Sequence, residues 1–227
     1  MLTEILTYLI NLLHDLAELL PLPLFTVVSA FVEEVVAPIP SPLVMTLAGS
    51  LAASAGQALP YLGWLALIGS LSKTMGSWAV YLLADKGEDL VMGRFGRFLG
   101  ISHREVEAFG RHLHKGRRDA WVIFLLRAIP IIPTAPVSLV AGIIKLQLRG
   151  YILATFWGTL VRSFVYLYFG FTSVGALTAL NQGLDSLESV GYVVLAVLMG
   201  GLIAYFYYLR SRGAGLSMVE RITKEQD

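Results

Sequence analysis

Five charged residues sit inside long apolar runs of this chain: Glu33, Glu34, Lys73, Arg127 and Arg162. An ionised side chain at membrane depth is costly, so such residues face a protein interior and mark ligand or proton sites. Arg127 follows Asp119 by eight residues, ~12 Å of helical rise. There its guanidinium needs an anion, a carboxylate or water. Guanidinium binds phosphate bidentately and keeps its charge, which makes a phosphate headgroup the natural ligand. Lys73 and Arg162, each about half-way along an apolar stretch, are candidate assistants. Glu33 and Glu34 are adjacent, ~100° apart on a helix, so one is expected to exchange protons or gate access while the other supports it. Two readings stay open: Arg127 and Arg162 bind an anionic ligand, or they are neutralised by Glu33 or Glu34 in a static pair. Glu34 has its own bland alternative, a salt bridge to Lys73 or Arg162.

The elements that must hold these residues follow from composition and proline. With 56% hydrophobic and 15% charged residues and a mean hydropathy of +0.70, the chain reads as an all-α integral membrane protein. Its 227 residues leave no room for an added soluble catalytic domain. Pro38, Pro40 and Pro42 break one apolar stretch, and Pro130, Pro133 and Pro136 break another. Proline removes a backbone donor and clashes with the preceding turn, so each stretch reads as helix, break, helix: a re-entrant hairpin. Ser41 and Thr134 follow the tip prolines and either cap the second arms or donate to phosphate. The expected order is an interfacial helix over 1–20, hairpin 1 over 25–59, a span over 61–84, and amphipathic helices over 86–118. Hairpin 2 over 120–148, spans over 150–171 and 191–209, and a tail over 210–227 complete a single membrane domain.

Basic residues lie between 86 and 118 and after 209, while the N-terminal helix and the 181–189 loop carry only acids. Cytoplasmic loops retain Lys and Arg, so the N-terminus is expected outside and the C-terminus in the cytoplasm. The basic 94–118 stripe alternates with acids and apolar residues beside a membrane segment, which suits anionic lipid rather than nucleic acid. Cysteine is absent, and His14, His103, His112 and His114 show no metal-ligand pattern. No nucleophile and base pair emerges either. Neither a catalytic role nor a metal or other cofactor is expected, and a homodimer is allowed for.

Pro40 precedes Ala48-Gly49 by the same interval as Pro133 precedes Ala141-Gly142, and each hairpin is followed by a span with one buried cation. Since the charge rule runs the two spans in opposite directions, the halves read as an inverted repeat of opposed hairpins. Three blocks then carry a resemblance. They are Glu34, Pro38, Pro40 and Ser41; Gly76 and Tyr81; and Phe124, Arg127, Pro130, Ser138, Ala141 and Gly142. Over about residues 24–180 the chain resembles the DedA family, also described as the SNARE-associated or VTT domain family. The resemblance implies lipid movement in a bacterial inner membrane. Recycling of undecaprenyl phosphate or scrambling of phospholipid is the expected activity, with Glu34 as the matched acid. Many bacterial members place a carboxylate at Pro42 and an arginine at Pro133; both are proline here. The alternatives are a proton-coupled transporter of a small ion or solute, and a scaffold that transports nothing.

Overall fold

The structure, a computed structural model, describes residues 15–17, 19–36, 41–86, 117–130 and 134–182, with isolated positions between 194 and 208. Pro38, Pro40 and Pro133, most of the 1–20 helix and 191–209 span, nearly all of the 86–118 segment and the 210–227 tail lie outside the described residues. So do the side chains of Ser41, Pro42 and Pro136.

Two short arms flank each proline cluster. α1 (Leu22–Val36) and α2 (Ser41–Ser54) form the first pair, α4 (Arg117–Ala128) and α5 (Thr134–Ile143) the second. The arms reach only ~22, ~21, ~18 and ~15 Å, against ~30 Å of hydrocarbon. Each pair is followed by a long helix, α3 (Leu59–Lys86) or α6 (Leu148–Gln182). α6 runs past the expected end near 171, because the sequence to Gln182 holds no proline to stop it.

Both long helices are inside out. On α3, Trp64, Leu67, Leu71, Met75 and Trp78 are exposed while Ser70, Lys73 and Ser77 are buried. On α6, Leu153, Trp157, Val161 and Phe164 are exposed while Thr155, Thr159 and Arg162 are buried. Water would favour the reverse; lipid favours this. Among the described residues, Leu148–Ala176 is the helix long and apolar enough to cross a membrane by length and composition. α3 has the length, and its inward polar residues lower its hydropathy.

The arms end alike. At the end of α2 the Gln57 N–H donates to the Ala52 carbonyl and the Gly56 N–H to that of Ala53; after α5, Leu146 donates to Ala141 and Lys145 to Gly142. This paired pattern closes a helix with one left-handed residue, here Gly56 at φ 67° and Lys145 at φ 53°. Lys73 lies 17 residues after the first and Arg162 17 after the second.

The chain divides into two compact units, residues 1–72 with 163–204, and 73–162 with 205–227. In unit 1, α2 packs backbone to backbone on the second half of α6: a Cβ at Gly49 would strike the Leu167 carbonyl, and one at Gly170 that of Thr46. The Ser72 hydroxyl ties α3 to α1 by donating to the Val27 carbonyl at 2.6 Å. In unit 2, Val122, Ile123, Leu126, Val137, Ala141 and Ala154 pack around the Tyr81 and Tyr151 rings.

Candidate ligand site around Arg127

Arg127 lies in the last turn of α4 and is 0% exposed. Its Nη2 donates to Ser138 Oγ at 2.5 Å and to Tyr151 Oη at 3.1 Å. Ser138 is placed by α5, one turn past Thr134, and Tyr151 by the first turn of α6. The Ser138 hydroxyl has one proton and lies 3.4 Å from both Ser77 Oγ and the Thr134 carbonyl. Tyr151 Oη also stands 3.4 Å from the Ser77 carbonyl. Four helices of unit 2 therefore meet at this guanidinium, three of them through hydroxyl-bearing side chains.

The tyrosines fix the frame. Tyr81 stacks on Tyr151 with centroids 5.0 Å apart and donates to the Leu146 carbonyl at 2.6 Å. Leu146 is also the residue whose N–H closes α5, so one contact joins α3, the turn after α5 and the start of α6. At Gly142 a Cβ would lie 2.5 Å from the Tyr81 carbonyl oxygen and 2.6 Å from Ala84 Cβ. Only glycine lets α5 approach α3 this closely. Gly158 does the same for α4 and α6.

Arg162 serves the break itself. Its Nη2 donates to the Pro130 carbonyl at 2.8 Å. A helix end leaves carbonyls without intrahelical donors, and Pro133 offers no N–H three residues on. A cation there also complements the negative end of the helix dipole.

The VTT domain family matches residues 36–172. The chain belongs to this family, also called the DedA or SNARE-associated family. A protein from Lactococcus lactis subsp. lactis (strain IL1403), named "Alkaline phosphatase-like protein", is 27% identical over 187 residues, covering 80% of this chain and 83% of the relative. A namesake from Lactococcus lactis subsp. cremoris (strain MG1363) is 28% identical over 173 residues, covering 74% and 78%. No solved structure matches the chain. VTT membership and the inside-out helices agree on a membrane protein.

Within the VTT region, Arg127, Arg162, Thr134 and Lys73 all belong to unit 2 and all are buried. Glu33 and Glu34 are buried in α1 of unit 1, Glu34 to 1% exposure. Thr134 opens α5 and contributes its carbonyl beside Ser138. Pro130 is half-buried and contributes its carbonyl to Arg162. Sequence reasoning missed Tyr151 and Ser77 altogether and took Ser138 only as a motif position. The signal was present: Tyr151, Thr155, Thr159 and Arg162 recur at helical spacing within an apolar helix.

Proposed function

We propose that this VTT protein is a lipid transporter that takes a phosphate-bearing headgroup at Arg127 and moves it between leaflets. The observation that supports this best is the fully buried guanidinium held in part by hydroxyls of Ser138 and Tyr151. Hydroxyls orient the planar group, and a guanidinium keeps its charge and suits phosphate. In this reading the proline breaks are re-entrant and the halves form an inverted repeat. Support comes from the identical turns after α2 and α5 and the equal 17-residue interval to Lys73 and Arg162. Arg162 supports the broken arm, and Glu34 gates or exchanges protons. Undecaprenyl phosphate is the first candidate substrate and a phospholipid the second.

Two other readings have specific motives. The buried Glu33 and Glu34 favour a proton-coupled solute transporter. The relatives' name favours hydrolysis of a phosphate ester, although no group of three or more His, Cys, Asp or Glu that could hold a metal occurs among the described residues. Purified protein in liposomes, with labelled undecaprenyl phosphate or labelled phospholipid, separates them. The expected result is transfer between leaflets that Arg127→Ala abolishes and Arg127→Lys restores only partly, because ammonium lacks the guanidinium fork. Transfer no faster than in empty liposomes, or a fully active Arg127→Ala, would remove the lipid-transport reading. Release of inorganic phosphate would favour the hydrolase.

A further inference from the structure

Two threonines of α6 bury hydroxyls that meet no hydrogen-bond partner: Thr155, 0% exposed, and Thr159, 1% exposed. A threonine in a helix has a ready acceptor in the carbonyl one turn back. Thr26, Thr172 and Ser173 all use theirs, at 2.8, 2.9 and 2.7 Å. Thr155 and Thr159 do not, and buried hydroxyls without partners call for an explanation.

Their surroundings point to an anion. Tyr151, Thr155, Thr159 and Arg162 follow one another at intervals of four, four and three residues, along one side of the helix. Gly158 lies between Thr155 and Arg162, and there α4 crosses so closely that an added Cβ would stand 2.6 Å from Arg127 Cβ. The two arginines and the two threonines thus share the α4–α6 crossing of unit 2. Unit 2 buries three cations, Lys73, Arg127 and Arg162.

We propose that Thr155 and Thr159 donate their hydroxyl protons to a phosphate monoester held between Arg127 and Arg162, and so complete the anion site. This rests on the Arg127 reading above and names the substrate class. A monoester carries close to two negative charges on three terminal oxygens, matching two guanidinium groups and two O–H donors. A diester has one charge and two free oxygens and engages fewer of them. The source is either a monoester lipid headgroup or free inorganic phosphate, which share an anionic PO3 group of similar charge.

Calorimetric titration of the full chain in neutral detergent tests the proposal, with dodecyl phosphate and inorganic phosphate as probes. Thr155→Val and Thr159→Val keep the side-chain shape and remove the hydroxyl; Thr→Ser at each position keeps it. Each valine should weaken dodecyl phosphate binding about tenfold, as for a hydrogen bond to a charged group, with serine close to wild type. Thermal midpoints of the valine variants should not fall, since no intramolecular bond is lost. Binding of dodecyl phosphate alone assigns the site to a lipid headgroup, and equal binding of inorganic phosphate assigns it to the free ion. Wild-type affinity in both valine variants, with binding lost in Arg127→Ala, overturns the threonine site and leaves the Arg127 reading standing. A wild-type chain that binds neither probe, or an Arg127→Ala variant that binds like wild type, overturns both.

Discussion

Replacing Gly158 by alanine should damage stability and transport together. A Cβ there would lie 2.6 Å from the Phe124 carbonyl oxygen, 2.6 Å from Arg127 Cβ and 3.2 Å from the Ala128 nitrogen. Comfortable separations are ~3.5–4.0 Å, so the two closest contacts fall short by about 1 Å. Two of these three atoms are backbone, and the third is a Cβ anchored to its backbone, so no flexible side chain can yield. α4 must withdraw from α6 instead, and overpacking of this kind costs ~1–3 kcal/mol. The same withdrawal takes the 3.1 Å bond from Arg127 to Tyr151 past useful length. It also stretches the 2.8 Å bond from Arg162 to Pro130. Denaturant unfolding in detergent, followed by tryptophan fluorescence, should show a loss in that range, and headgroup transfer in liposomes should fall with it. Gly63→Ala is the control, because Gly63 is helical with nothing within 4 Å of an added Cβ. It should be neutral or stabilise by up to ~1 kcal/mol. A Gly158→Ala variant as stable and active as wild type, beside a Gly63→Ala that behaves as stated, would refute the α4–α6 contact.

Gly56→Ala should destabilise by ~1–2 kcal/mol although nothing lies within 4 Å of its Cβ, because the left-handed backbone at φ 67° disfavours any side chain; the same unfolding measurement checks it, and an unchanged midpoint would deny the helix-closing turn. Arg162→Leu should cost ~1–3 kcal/mol by leaving the Pro130 carbonyl without this donor, with Arg162→Lys clearly milder; equal losses would mean that the bond contributes nothing. For orientation, external thiol labelling of intact cells should modify Ser186→Cys and spare Ser102→Cys and Ser217→Cys, and the opposite pattern would invert the topology.

The sequence carried the charged core of each unit, and the reason is energetic. Glu33, Glu34, Lys73, Arg127 and Arg162 stand in runs that only a bilayer suits, so burial was the one tolerable outcome. All five are buried. Proline marked where arms end, and the described arms stop at Val36 and Ala128, before each cluster. Hydroxyls were another matter. Serine and threonine differ little from their surroundings on a hydropathy scale, so the facing of Ser77, Thr155 and Thr159 shows only when helical spacing from a charged residue is followed, as it is from Arg162 back to Tyr151. Tyr151 carries no charge and adjoins no proline, so neither of the two signals that located the other residues marked it. The repeat register was legible only from one end. Pro40 and Pro133 align with Ala48-Gly49 and Ala141-Gly142 at an offset of 93 residues, whereas the left-handed Gly56 and Lys145, the starts of α3 and α6, and Lys73 and Arg162 align at 89. The difference of four residues is about one helical turn, and it is the turn by which α2, with 14 residues, exceeds α5, with 10. Spacing from the prolines cannot locate that turn; the end of the helix can.

Arg162 and the break it serves explain each other. In the apolar stretch Leu148–Ala176 Arg162 is the central residue, the position where a cation is most disfavoured, by ~3 kcal/mol on insertion scales. A broken helix at membrane depth has the complementary deficit, carbonyls that lipid cannot satisfy. A guanidinium answers that deficit with an Nη2 N–H to the Pro130 carbonyl at 2.8 Å, and its charge complements the negative end of the helix dipole. The two threonine hydroxyls without partners, Thr155 and Thr159, stand on the same side of α6. In the proposed reading, the broken arm and an anionic headgroup therefore draw on one face of one helix.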